Sequence, residues 1–129
     1  MMKVQTRSLS RIMMIVAVLL TLVIVASAQR PSIIGGWSTT AGYCLQFAKD
    51  GKWSVAEKGK ADLVDFGNYT FDGKLLTLHS DGKAANCAGT TGKYEIDLTP
   101  KGITYKLVED KCSARSNDLA KGPYSPCTP

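Results

Sequence analysis

Residues 67–79 read GNYTFDGKLLTLH, and the fold class follows from how this stretch is parsed. Tyr69 and Phe71 alternate with polar neighbours, and so do Leu76 and Leu78 after them. Alternation at period two buries one face of a strand and leaves the other wet. Between the two runs stands Asp72-Gly73-Lys74, where glycine supplies a positive φ and the aspartate side chain closes the turn on the backbone. The stretch is an antiparallel hairpin, and the same grammar runs outward from it in both directions. YCLQFA puts Tyr43, Leu45 and Phe47 on one face, and KWSVAE does so with Trp53 and Val55. GKYEIDL contributes Tyr94, Ile96 and Leu98, and GITYKLV contributes Ile103, Tyr105 and Leu107. Asp-Gly-Lys recurs at 50–52 and 81–83, with Pro100-Lys101-Gly102 in a similar place. These turns share chemistry but no period, so they do not mark an internal repeat.

Three hairpins in series, about 43–57, 67–79 and 92–108, predict an all-β domain, a small antiparallel up-and-down meander of about six strands. An open meander exposes two edges, so the sheet is expected to close, or nearly close, into a barrel whose remaining edge the C-terminal tail covers. SARSNDLAKG, residues 113–122, fits a short helical turn ending at Gly122 before Pro123. GPYSPCTP is too rich in proline for a central strand and reads as a tail pinned by Cys127.

The N-terminus bears on the compartment. Lys3, Arg7 and Arg11 precede an uncharged apolar run from Ile12 to Ala26, and Ala26-Ser27-Ala28 offers the small residues of a cleavage site. Residues 1–28 are read as a cleaved signal peptide, because the run is at the short limit for spanning a bilayer as an anchor. The organisation expected is then a leader over 1–28, an extended segment over 29–42, and a single barrel-like domain over 43–129. The whole sequence has 16 Lys and Arg against 11 acids, a net charge of +5, and the three basic residues of the leader account for most of that excess. The remaining lysines are scattered singly among acids. That distribution is a solvated surface rather than a phosphate-tracking stripe, so nucleic acid is not an expected partner, nor is a membrane after cleavage.

The cysteines are Cys44, Cys87, Cys112 and Cys127. Lys111 and Arg115 flank Cys112 in VEDKCSAR, residues 108–115, and nearby cations lower a thiol pKa. In an exported chain of this size, however, an even count reads as two disulfides, with three possible connectivities. Cys87–Cys112 and Cys44–Cys127 are the pairs expected, the first flanking the third hairpin and the second tying the tail to the first. No C-x-x-C arm is present and His79, the one histidine, is near none of the four, so no metal site is expected.

Gly35-Gly36-Trp37 ahead of a β-meander, with an arginine late in the chain, resembles the G-x-W signature of the calycin superfamily. That superfamily includes lipocalins, avidins and small bacterial protease inhibitors. The sequence is also similar to small exported lipocalin-like proteins with a late D-x-C-x-x-R, matched by Asp110, Cys112 and Arg115. The resemblance implies a structural motif of Gly35, Trp37, Asp110 and Arg115, with Arg115 packed on the Trp37 ring and paired to Asp110. It also implies a cavity for a small hydrophobic molecule. Against this, the chain is shorter than a typical lipocalin, and the inward candidates are bulky: Leu45, Phe47, Trp53, Val55, Tyr69, Phe71, Leu76, Leu78, Tyr94, Ile96, Tyr105 and Leu107. Residues of that size favour a filled interior in a small barrel.

Motifs for chemistry are weak. GTTGKY, residues 89–94, lacks the spacing and the Ser or Thr of a phosphate loop. His79-Ser80-Asp81 are adjacent on a strand, so their side chains diverge and form no triad. No catalytic set, cofactor or metal is therefore expected. Two readings lead. The first is an extracytoplasmic, monomeric carrier whose cavity would use the hydroxyls of Tyr69, Tyr94 or Tyr105 to hold a ligand. The second is a protein-binding module, such as a secreted protease inhibitor, acting through QRPSII, residues 29–34, or through the hairpin turns near Asp50 and Asp72.

Overall fold

The structure is a computed structural model that describes residues 31–82 and 87–128. The expected leader over 1–28 lies outside the described residues. Seven strands follow one another: β1 (Gly35–Ser38), β2 (Tyr43–Phe47), β3 (Lys52–Glu57), β4 (Leu63–Phe71), β5 (Leu75–Ser80), β6 (Thr91–Thr99) and β7 (Gly102–Asp110). A short helix, α1 (Ser113–Leu119), comes after them. Each strand pairs antiparallel with the next, so sheet order equals chain order. The meander is as expected but has seven strands rather than six, curled into a half-barrel. The extra strand is β1, which pairs Trp37 with Leu45 and so belongs to the same sheet rather than to a preceding segment. Two glycines in four residues gave it no alternation to read.

The Asp-Gly turns work as their chemistry requires at two of three places. Asp50 Oδ1 accepts the Lys52 N–H at 3.0 Å, and Asp72 Oδ1 accepts those of Lys74 at 2.9 Å and Leu75 at 2.7 Å. Asp81-Gly82 departs from the expectation of a hairpin turn. It begins the long connection between β5 and β6, and both its amides donate back to the Phe66 carbonyl on β4.

The concave face holds the core: Leu45, Phe47, Trp53, Leu76, Leu78, Tyr94, Ile103 and Tyr105 from the strands, joined by Ile33, Leu119 and Tyr124. Of the inward residues expected from the alternation, Leu107 is the exception, at 48% exposed. A β-bulge follows directly after it. The β6–β7 register pairs Tyr94 with Leu107 and then Lys93 with Glu109, leaving Val108 as an extra residue. A one-residue insertion reverses the side-chain parity of everything beyond it. Leu107 and Val108 are both exposed, while the Asp110 side chain is fully buried. A second bulge between β3 and β4 pairs Val55 with Asp65 and Ala56 with Leu63, so that Val64 is the extra residue.

The tail meets both edges of the sheet. Tyr124 exchanges backbone hydrogen bonds with Ile103 of β7 at 2.9 and 3.0 Å. On β1, the Ser38 N–H donates to the Ser125 carbonyl at 2.8 Å, and the Cys127 N–H to the Gly36 carbonyl at 3.0 Å. The Cys44–Cys127 disulfide fastens this contact and Cys87–Cys112 closes the other end, which is the expected pairing. Gly36 is required by the close approach: a Cβ there would lie 2.4 Å from the Cys127 carbonyl oxygen.

Candidate functional site

Helix α1 buries Arg115, Ser116 and Leu119, a spacing that puts them along one helical face. Arg115 donates to both oxygens of Asp110, Nε to Oδ2 and Nη2 to Oδ1, each at 2.8 Å. Its side chain is 7% exposed and that of Asp110 fully buried. Such a bidentate pair is the strong, geometrically specific form of ion pair. Nη1 donates to Ser80 Oγ at 2.5 Å and Nη2 also reaches Thr90 Oγ1 at 3.3 Å. The network extends on both sides. Ser80 Oγ donates to Asp65 Oδ2 at 3.2 Å, while the Tyr94 hydroxyl and the Cys112 amide donate to Asp110. Gly92 makes room for it, since a Cβ there would lie 2.3 Å from Asp110 Oδ2.

The carboxylates of this region fall into two electrostatic classes. Burial pulls the Asp110 carboxyl upward, but hydrogen bonds from Arg115, Tyr94 and the Cys112 amide outweigh it and hold the group below its ordinary range. Asp65 is instead raised, burial outweighing its hydrogen bonds from the Phe66 amide and Ser80. Asp118 on α1 is raised by burial too, with Lys121 a lesser opposing influence.

A cavity of about 250 Å³ lies between the sheet and α1. Leu45, Trp53, Val55 and Leu78 form its floor, Ala114 and Leu119 its helical wall, and the exposed Val64 and half-buried Tyr43 its margin. Its charged lining residues are Asp65, Arg115 and Asp118. The interior is therefore filled in most of the sheet yet open beside α1. For scale, a dry cavity of ~150 Å³ admits benzene.

The expected site residues are distributed as follows. Asp110 and Arg115 pair as expected. Trp37 donates its indole N–H to the Ile33 carbonyl at 2.8 Å. Among the described residues it makes no cation–π contact with Arg115, whose guanidinium is held by its oxygen partners. Gly35 opens β1. None of the three tyrosines lines the cavity. Tyr69 donates to the Ala48 carbonyl and packs edge-on against Phe47, and Tyr94 is committed to Asp110. Tyr105 is buried between Tyr94 and Tyr124, and its hydroxyl has no partner among the described residues. Asp65, Ser80, Thr90 and Asp118 were missed. Continuing the inward parity of Phe71 and Tyr69 back along β4 would have reached Asp65.

Together these features define a small, disulfide-bonded antiparallel β protein with one buried ion-pair network and an adjoining apolar cavity. The chain matches no protein-family model, no curated protein and no solved structure. Two disulfides point to an oxidising, extracytoplasmic setting.

Proposed function

We propose that this protein is an exported, monomeric, lipocalin-like binding protein that carries a small hydrophobic molecule in the cavity beside α1. The observation that carries this reading is the cavity itself, about 250 Å³ with walls of Leu45, Trp53, Val55, Leu78 and Leu119. Ligand pockets are mostly apolar with a few polar groups to orient the occupant. In this reading the tail acts as the closing element of a lipocalin-like barrel, supported by its hydrogen bonds to β1 and β7. Kinship with calycins rests on Gly35, Trp37, Asp110, Cys112 and Arg115. Native mass spectrometry of protein purified from its own host, followed by organic extraction, is expected to recover a bound molecule. Protein that is empty, and that no small probe stabilises, would count against the reading.

The alternative is a protein-binding module. What favours it is an exposed apolar group on β4, Leu63, Val64 and Phe66. The described part of the N-terminal segment, residues 31–34, is less suited, because Ile33 is buried in the core. Pull-down with Leu63→Lys/Phe66→Lys against the parent chain tests this surface.

A further inference from the structure

The proposed carrier reading leaves open what kind of molecule the cavity would take, and the charges around it narrow the choice. The cavity is lined by two carboxylates, Asp65 and Asp118, and one cation, Arg115. A guanidinium has five N–H donors, and four hydrogen bonds already run from Arg115 to Asp110, Ser80 and Thr90. Its charge is matched by the bidentate contact with Asp110, so little of it remains to receive an anion.

The carboxylates are in the opposite condition. Asp65 accepts only neutral donors, the Phe66 amide at 2.9 Å and the Ser80 hydroxyl at 3.2 Å. Asp118 accepts from the Thr40 hydroxyl. Among the described residues neither forms an ion pair; Arg115 acts on Asp65, and the exposed Lys121 on Asp118, only at longer range. Counting Asp110, three carboxylates surround one guanidinium, and the two left over face the cavity. An unmatched charge in a partly buried place costs free energy that a cationic ligand would recover. The floor adds Trp53 and the margin Tyr43, and aromatic faces attract cations.

We propose that the cavity selects a small organic ammonium ion, a single ring or short branched chain bearing one cationic nitrogen. The body would lie against Leu45, Trp53, Val55 and Leu78 and the nitrogen toward Asp65 and Asp118. A volume of about 250 Å³ is more than benzene needs, at ~150 Å³, yet leaves no room for a long acyl chain.

The test is calorimetric titration of the disulfide-intact protein at neutral pH with three probes of one shape: phenethylammonium, 2-phenylethanol and phenylacetate. Phenethylammonium is expected to bind roughly tenfold tighter than the alcohol, which is ~1.4 kcal/mol, and phenylacetate weakest of all. Asp118→Asn, which lies outside the Arg115 network, is expected to lose most of the preference for the cation over the alcohol. Asp65→Asn repeats the test from the sheet side. Phenylacetate binding as tightly as the ammonium ion would overturn the selectivity but leave the carrier reading standing. So would an unaltered preference in both Asn variants. Absence of binding by all three probes, in protein whose melting is normal, would overturn both.

Discussion

At the scale of single residues, Arg115 carries the most weight because it neutralises Asp110 and supports Ser80 together. Removing one partner of a buried pair leaves the other charged and unpaired. Arg115→Met is expected to lower unfolding free energy in urea by about 3–5 kcal/mol. Arg115→Lys should recover only part of that, since an ammonium group cannot make the planar two-oxygen contact. Lys121→Arg, on an exposed turn, serves as the control and should be near neutral. The carboxylates set the pH response. Asp110 has a depressed folded pKa, so its contribution is complete above the unfolded value of ~3.9 and is lost as pH falls through the lower folded one. Asp65 and Asp118 are raised, so their ionisation opposes folding and is relieved as pH falls through their raised values. Stability is expected to rise from neutral into mildly acid solution and to fall below the ordinary carboxylate range. Urea titrations across pH should show a smaller rise in Asp65→Asn. Tyr105 is a simpler case: its hydroxyl is buried without a partner among the described residues. Tyr105→Phe is expected to be neutral or stabilising by up to ~1 kcal/mol, and a loss of stability would mean that the hydroxyl is bonded. The pair Asp110 and Arg115 was anticipated through the resemblance of D-x-C-x-x-R, at Asp110, Cys112 and Arg115, to lipocalin-like proteins. Ser80 and Thr90 were not legible, since a hydroxyl at a strand end or in a loop looks the same whether or not a guanidinium reaches it.

At the scale of elements, alternation made β2 to β7 readable, and the two Asp-Gly turns made the β2–β3 and β4–β5 connections readable. What alternation hides is a change of phase. The bulge at Val108 turns Asp110 inward, and nothing in the local composition of KLVED announces it. β1 was not legible because two glycines in four residues leave it no alternation; it pairs with β2 on one side and is held by the tail on the other. The tail should therefore matter more than a proline-rich terminus suggests. Replacing Cys44 and Cys127 together by Ser is expected to cost about 4–5 kcal/mol on loop-closure grounds, and replacing Cys87 and Cys112 about 3–4 kcal/mol. Hydrogen exchange separates the two. The first pair should deprotect the Ser38, Ile103 and Tyr124 amides ahead of the rest of the sheet, and uniform deprotection would argue that the tail is not a separate clasp.

At the scale of the whole molecule, the fold was accessible because each neighbour in the sheet is also a neighbour in the chain. Such a topology needs only local pairing to be inferred, whereas the cavity depends on where α1 comes to rest and has no local signature. Compartment can be checked directly: mass spectrometry of exported material is expected to find Gln29 at the N-terminus, and a product retaining Met1 would refute the cleaved leader. The disulfide pairing has a further consequence for biogenesis. On the exported reading, the cysteines enter an oxidising compartment in chain order, and the first two, Cys44 and Cys87, are not native partners. Until Cys112 follows them, the bond available to them is the wrong one, and wherever it forms it has to be undone by thiol–disulfide exchange. Maturation is thus expected to depend on an isomerase as well as an oxidant, and a production host that supplies oxidant alone should accumulate the Cys44–Cys87 species.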